Sequence, residues 1–204
     1  IAPELPEKFG GQGLGCLAAG VIHEEIARAD LSISYINLLA SLNSQILSEH
    51  GQLEVVAPWL QKLVAGEALC AIALTEPRGG SDAGNLRLKV ERIGDHYLIN
   101  GEKLWCTNGP DADIMVVMAK TPPKIVNGKE RTQISAFIVE KTMPGFTTEH
   151  VCTFMGLRAV ADASIAWLQG LMKRRDLPPG LARFLARRGK QSVETLEAEF
   201  DALK

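Results

Sequence analysis

A chain of 204 residues with 22 basic and 24 acidic side chains is close to neutral, so its charge gives no footprint for nucleic acid or an anionic membrane surface. Its length holds one generous core or two modest ones. No apolar run approaches the roughly 20 residues of a membrane span, and the start at Ile1 lacks the basic-then-apolar layout of a signal peptide. The expectation is a soluble, intracellular protein, with a first residue other than Met that fits a trimmed or missing start. Cys16, Cys70, Cys106 and Cys152 are widely spaced with no C-x-x-C pair, which suits small buried hydrophobes in a reducing compartment.

Residues 17–65 are rich in Leu, Ile, Val and Ala at three-to-four spacing, with Ile22, Ile26, Ile36, Leu39 and Ile46 among the apolar positions. Asp30 stands where one helix stops and another starts, His50-Gly51 marks a helix end, and Pro58 falls early in a third helix that ends near Gly66. After Gly66 the pattern changes to short apolar runs between turn signals: "LCAIAL", "LRLKVERIG", "HYLING", "IMVVMAK" and "QISAFIVE". Asn100-Gly101 and Asn127-Gly128 are both hairpin signals, because a type I′ turn needs positive φ at both central residues. The sheet is therefore expected to be largely antiparallel. From Trp167 the composition shifts to "KRRDLPPG" and then to a basic half followed by an acidic half with helical periodicity. The fold expected is α+β: an N-terminal helical domain over 1–69, an antiparallel β-barrel over 70–166 and a short helical tail over 167–204.

Two stretches concentrate chemistry. "ALTEPRGGSD", residues 73–82, leaves an expected strand with hydroxyls at Thr75 and Ser81 and bare backbone at Gly79 and Gly80, which suits the edge of a polar planar ligand or a phosphate. An ordinary surface turn uses the same residues. In "NGEKLWCTNG", residues 100–109, Trp105 and Thr107 lie two apart, on one face of a strand. Such a Trp either covers a flat heterocycle, with the hydroxyl bonding to its edge, or fills a barrel core.

Other motifs give less. "GGQGLG" at 10–15 lacks G-x-G-x-x-G spacing and follows no strand, so it is expected to be a loop. "HEEIA" at His23 lacks the second histidine of a zinc helix, and His50, His96 and His150 show no ligand spacing, so no metal is indicated. Asp30 is most economically an N-cap, with a role as a catalytic carboxylate held as the minor alternative.

Together, "LTEPRGGSD" and "INGEKLWCTNG", behind a helical region and followed by "FIVEKTMPGF" and "MGLRAVADASI", resemble the acyl-CoA dehydrogenase family. The resemblance covers residues 1 to about 166, and "PEKFGGQGLG" is similar to the family's loop between early helices. It implies a flavoprotein with a helical domain, a middle β-barrel and a C-terminal four-helix domain, with FAD between the last two. By carry-over, Leu74 and Thr75 contact the isoalloxazine edge together with Gly80, and Ser81 touches cofactor or the pantetheine arm of the substrate. Trp105 lies against the ring, and Thr107 bonds near its reactive nitrogen. The implied reaction is α,β-dehydrogenation of an acyl-CoA thioester, with hydride passing to FAD and electron transfer flavoprotein as the usual acceptor.

After "MGLRAVADASIAW" the family's pattern gives way to residues 168–204, which match no part of it. The resemblance places the family's catalytic glutamate, much of the adenine side of its FAD pocket and its tetramer interface in the C-terminal helical domain that these residues do not match, so the catalytic residue is left unassigned. The expectation is a truncated chain, incomplete or inactive alone. Its origin is a shortened gene, one half of a split enzyme that works with a complementing chain or in an oligomer, or a non-catalytic interaction module. The compartment implied is the cytoplasm, or the mitochondrial matrix in a eukaryote. Nucleic acid is not an expected partner, since no aromatic residues interleave the basic ones.

Overall fold

The computed structural model describes residues 1–155, 157 and 162–173. Three helices come first: α1 (Cys16–Ala29), α2 (Leu31–His50) and α3 (Leu53–Ala65). Their ends follow from their cap residues. Asp30 is extended, and its carboxylate accepts a hydrogen bond from the Ser32 amide at 2.7 Å while its own amide closes α1 on the Ile26 carbonyl. One aspartate thus ends one helix and starts the next. α2 stops at His50 before Gly51, and α3 ends on Gly66 in the left-handed conformation, φ +75°, its amide bonded to the carbonyls of Leu63 and Lys62. Pro58 lies inside α3.

The buried side of α2 is unusually polar, with Ser34, Asn37, Ser41 and Asn43 all turned inward. Each has a partner: Ser34 Oγ donates to the His23 carbonyl, Ser41 Oγ to Glu4, and Asn43 Nδ2 to the Leu39 carbonyl, while Asn37 accepts from the Ala2 amide. Leu39 and Ala40 are buried beside them, but Ile36 is exposed. The apolar spacing that marks α2 as a helix therefore does not mark its inner face.

Seven strands complete the described chain: β1 (Cys70–Ala73), β2 (Lys89–Ile93), β3 (His96–Thr107), β4 (Ile114–Val126), β5 (Lys129–Glu140), β6 (Phe146–Val151) and β7 (Asp162–Lys173). They form one curled sheet in the order β1-β4-β2-β3-β7-β6, with β5 on β4. The expected antiparallel barrel is met in part: the sheet is curled and largely antiparallel, but mixed. β2 with β3, β3 with β7, β4 with β5 and β6 with β7 are antiparallel, but β1 runs parallel to β4, pairing Cys70 with Ile114 through Ala73 with Val117. The β2–β3 hairpin lies between those two strands in the chain, so no turn signal reports their pairing.

Of the two Asn-Gly signals, one is a turn. Asn127 and Gly128 have φ of 52° and 70°, as a type I′ turn requires, and they join β4 to β5. Asn100-Gly101 lies inside β3 instead, at a register shift between Ile99 and Gly101. A Cβ at Gly101 would stand 3.2 Å from Leu88, so this glycine serves close packing at a bulge. The β2–β3 turn falls at Gly94, φ +59°. The helical tail expected from residue 167 is corrected at its start, because β7 runs on to Lys173. Its remainder, 174–204, lies outside the described residues.

Alternation along β4 divides the core. Met115, Val117 and Ala119 join Ala71, Ala73, Ile99, Cys106 and Ile165 on one face of the sheet, whereas Ile114 and Val116 join Leu39, Leu47, Leu60 and Leu63 against the helices. A strand buried on both faces reads as the unbroken run "IMVV". Cys70 belongs to the helix-facing core. Burial pushes its thiol up to about 12 despite the hydrogen bond from Asn43, so it is a neutral packing group. Cys106 is also buried, but Cys152 is half-buried and Cys16 exposed, against the expectation that all four cysteines are core residues. No helix among the described residues is long and apolar enough to cross a membrane.

Candidate functional site

β1 ends at Ala73, and the chain leaves the sheet through Leu74 and Thr75, both half-buried. It then reverses at Pro77-Arg78, in a turn closed by two bonds between Glu76 and Gly79, amide to carbonyl each way, at 3.0 and 3.1 Å. Gly80 and Ser81 come next, on the outer part of the loop, with Ser81 exposed. A side chain at Gly80 would begin 3.4 Å from the Thr75 methyl, so glycine leaves that flank of Thr75 clear.

The second constellation approaches from β3. A register shift between Lys103 and Cys106 puts Trp105 in the left-handed region, φ +55°, which is rare for a bulky residue. Trp105 is 57% exposed, with the ring of Phe154 6.5 Å away. Cys106 is buried and Thr107 half-buried beyond it. The two constellations meet on the backbone: the Leu104 amide donates to the Thr75 carbonyl at 2.8 Å. Leu74, Thr75 and Trp105 thus share one neighbourhood, with Gly80 beside Thr75.

Glu76 and Lys103 hold the junction, and neither stood out in the sequence. Lys103 is completely buried and Glu76 is 7% exposed, with Nζ and Oε1 2.9 Å apart. The same ammonium donates to the Leu74 carbonyl at 3.0 Å, and the carboxylate accepts from the amides of Arg87 at 2.6 Å and Leu88 at 2.9 Å. Burial alone would raise the Glu76 carboxyl, but the bond from Lys103 and the two amides together hold it below the usual carboxylate range. A signal for Lys103 was present, since it shares strand parity with the buried Ile99. A lysine on the inward parity of a strand needs a buried partner.

The remaining candidates lie elsewhere. Asp30 caps α2. The 10–15 stretch is a loop stitched back by bonds from Gly13 to Leu5 and from Leu14 to Pro3. Among the described residues no three His, Cys, Asp or Glu side chains gather as a metal site. A cleft of about 400 Å³ opens between α2, α3 and β4–β5, lined by Ile46, Val55, Trp59, Tyr97, Phe137 and Met143, and neither Thr75 nor Trp105 lines it.

Comparison with known proteins matches both halves of the chain to one family. The acyl-CoA dehydrogenase N-terminal domain matches residues 1–67 and the acyl-CoA dehydrogenase middle domain matches residues 71–168. Mitochondrial isovaleryl-CoA dehydrogenase of Pongo abelii is 42% identical over 155 residues, 75% of this chain and 36% of the relative. A glutaryl-CoA dehydrogenase from Mycobacterium smegmatis in complex with FADH2 superposes with a TM-score of 0.75 at 25% identity, over 93% of this chain and 49% of that one. Butyryl-CoA dehydrogenase from Megasphaera elsdenii gives 0.73 at 28% identity, over 84% and 45%. The chain spans a little over a third of the isovaleryl relative and just under half of the two solved structures.

Proposed function

The chain belongs to the acyl-CoA dehydrogenase family, and on that premise we propose that it supplies the flavin-contacting portion of an FAD-dependent enzyme that introduces an α,β double bond into an acyl-CoA thioester. The observation that carries this is the bond from Leu104 to Thr75, which puts a hydroxyl-bearing loop and a half-exposed tryptophan side by side. The residues fit a flavin edge. The Thr75 and Ser81 hydroxyls have no hydrogen-bond partner among the described residues and are available to donate. Gly80 keeps the flank of Thr75 open, and Trp105 offers an aromatic face.

FAD, when bound, supplies the acceptor for the hydride that leaves the β-carbon. The work of this chain is placement: Leu74, Thr75, Gly80 and Ser81 would line one edge of the ring, Trp105 would cover it, and Thr107 would donate from the end of β3. Ser81 would serve either the cofactor or the pantetheine arm of the substrate. Asp30 is committed to capping α2, so the α-proton base is sought outside it. An electron transfer flavoprotein is the proposed acceptor, in the cytoplasm or a mitochondrial matrix.

These relatives are named for isovaleryl, glutaryl and butyryl thioesters, which favours a short acyl group here. The test is a titration with FAD followed by absorbance and flavin fluorescence, then incubation with a panel of acyl-CoAs and an artificial dye. Saturable FAD uptake supports the proposal, and dye reduction, greatest for short acyl chains, is expected only when a complementing chain is added. Protein that leaves the flavin spectrum unchanged at any concentration overturns it.

A further inference from the structure

Glu76 and Lys103 are a carboxylate and an ammonium buried together where the two site segments meet. A buried ion pair is generally no more stabilising than apolar residues filling the same space, so stability does not by itself account for this one. Its bonds point to another role. Lys103 Nζ takes the Leu74 carbonyl as well as Glu76, the Leu104 amide takes the Thr75 carbonyl, and the Gly79 amide takes that of Glu76. Every carbonyl from Leu74 to Glu76 is thereby turned onto the protein. The Thr75 and Ser81 hydroxyls, by contrast, have no partner among the described residues. Glu76 also bonds the Arg87 and Leu88 amides, so the loop is anchored to the segment entering β2 as well as to β3.

We propose that the Glu76–Lys103 pair is a positioning unit that fixes residues 74–76 against β3 with their carbonyls inward, so that donors are what the loop presents to the flavin. The inference rests on the function proposed above and deepens it. An isoalloxazine carries acceptors along its edge at N1, O2, O4 and N5, with N3–H as its single ring donor. A face cleared of carbonyls matches that edge, whereas one carbonyl turned outward would meet an acceptor with an acceptor. Neither Glu76 nor Lys103 touches the ring; they act through Leu74, Thr75 and the Trp105 bulge.

The test compares wild type with K103M, E76Q and the double variant E76Q/K103M, using FAD affinity from flavin fluorescence and melting temperature from circular dichroism. K103M strands a buried carboxylate and leaves the Leu74 carbonyl without its donor, so the melting temperature falls and the FAD Kd rises at least tenfold. The double variant removes the stranded charge, so its melting temperature recovers toward wild type while its FAD affinity stays at least tenfold down. Affinity that recovers in step with stability overturns the proposal, because the pair is then only structural. So does folded K103M or E76Q/K103M that binds within twofold of wild type. If K103M does not fold, E76Q and the double variant carry the same comparison. Wild type that takes up no FAD sinks the function proposed for the site and this inference with it, a different result from wild-type binding that the variants leave intact.

Discussion

The Thr75 carbonyl accepts from the Leu104 amide at 2.8 Å, one residue before Trp105 turns into the left-handed region. The loop and the strand are thus joined by a backbone bond that mutation of either side chain leaves in place. Thr75→Val keeps the shape of the side chain and removes its donor. We expect FAD affinity to fall about 2- to 12-fold, as the loss of a net hydrogen bond of roughly 0.5–1.5 kcal/mol implies. The melting temperature should hold, since the hydroxyl bonds to nothing among the described residues. Unchanged affinity in a flavin titration would remove Thr75 from the site.

Trp105 gives a prediction that separates stability from binding. At φ +55° a tryptophan is held in strain of about 1 to 3 kcal/mol, and the residue is more than half exposed. Trp105→Gly relieves the strain but gives up the roughly two-fifths of the residue that is buried, two effects of similar size, so the protein should melt close to wild type. Loss of the aromatic face should weaken FAD by at least several-fold. A lower melting temperature with intact FAD binding would make Trp105 a packing residue.

The same exposure bears on how the cofactor is held. Trp105 is open to solvent, and Ser81 stands on an exposed part of its loop. We expect the chain alone to bind FAD reversibly and to lose it on gel filtration, eluting pale. A yellow, stoichiometric complex that survives the column would show that the ring is enclosed on both sides.

Much of this arrangement was legible in the sequence where cause and effect are local. Asp30, Gly51 and Gly66 mark helix ends through their own caps, and Asn127-Gly128 marks its hairpin through its own φ angles. Thr75, Ser81, Trp105 and Thr107 stood out because hydroxyls, glycines and an aromatic are clustered. What the sequence hid depends on distant partners. Asn100-Gly101 has the composition of a turn, but Gly101 continues β3, close against Leu88 and at a register shift with β7. β1 meets β4 in parallel only after a hairpin has intervened. Glu76 and Lys103 do not stand out in the sequence, because the partners that make their burial possible are each other and, for Glu76, backbone amides from a third segment.

Asp30 tests the helical half. Its carboxylate caps α2 through the Ser32 amide, so Asp30→Ala should cost about 1 kcal/mol, while Asp30→Asn, an equally good cap, should be nearly neutral. For a protein of this size that is a fall of about 2–4 °C for the alanine variant. Thermal melts of the two variants decide it. If Asp30→Asn abolished dye reduction in the acyl-CoA assay without lowering the melting temperature, Asp30 would be the α-proton base instead of a cap.

Acid denaturation should single out Glu76. Its carboxyl is held below the ordinary range in the fold, because the bonds from Lys103 and from the amides of Leu88 and Arg87 outweigh the burial that opposes them. Unfolded, the same carboxyl titrates near pH ~4.3, so between the folded and unfolded pKa values the unfolded state binds more protons and stability rises with pH. The contribution of Glu76 is therefore fully present above the unfolded value and is lost as pH falls through the folded one. Glu76→Gln has no such titration, and the other carboxyls cancel when the two proteins are compared. Urea unfolding of wild type and Glu76→Gln between about pH 7 and pH 3 should show a difference in stability that is constant down to about pH 5 and narrows below it. A difference that stays level over that whole range would mean that the Glu76 carboxyl titrates alike in the folded and unfolded states, so that the bonds from Lys103 and the two amides do not outweigh its burial; a difference that shrinks as pH rises through the unfolded value would mean that the carboxyl is protonated in the fold.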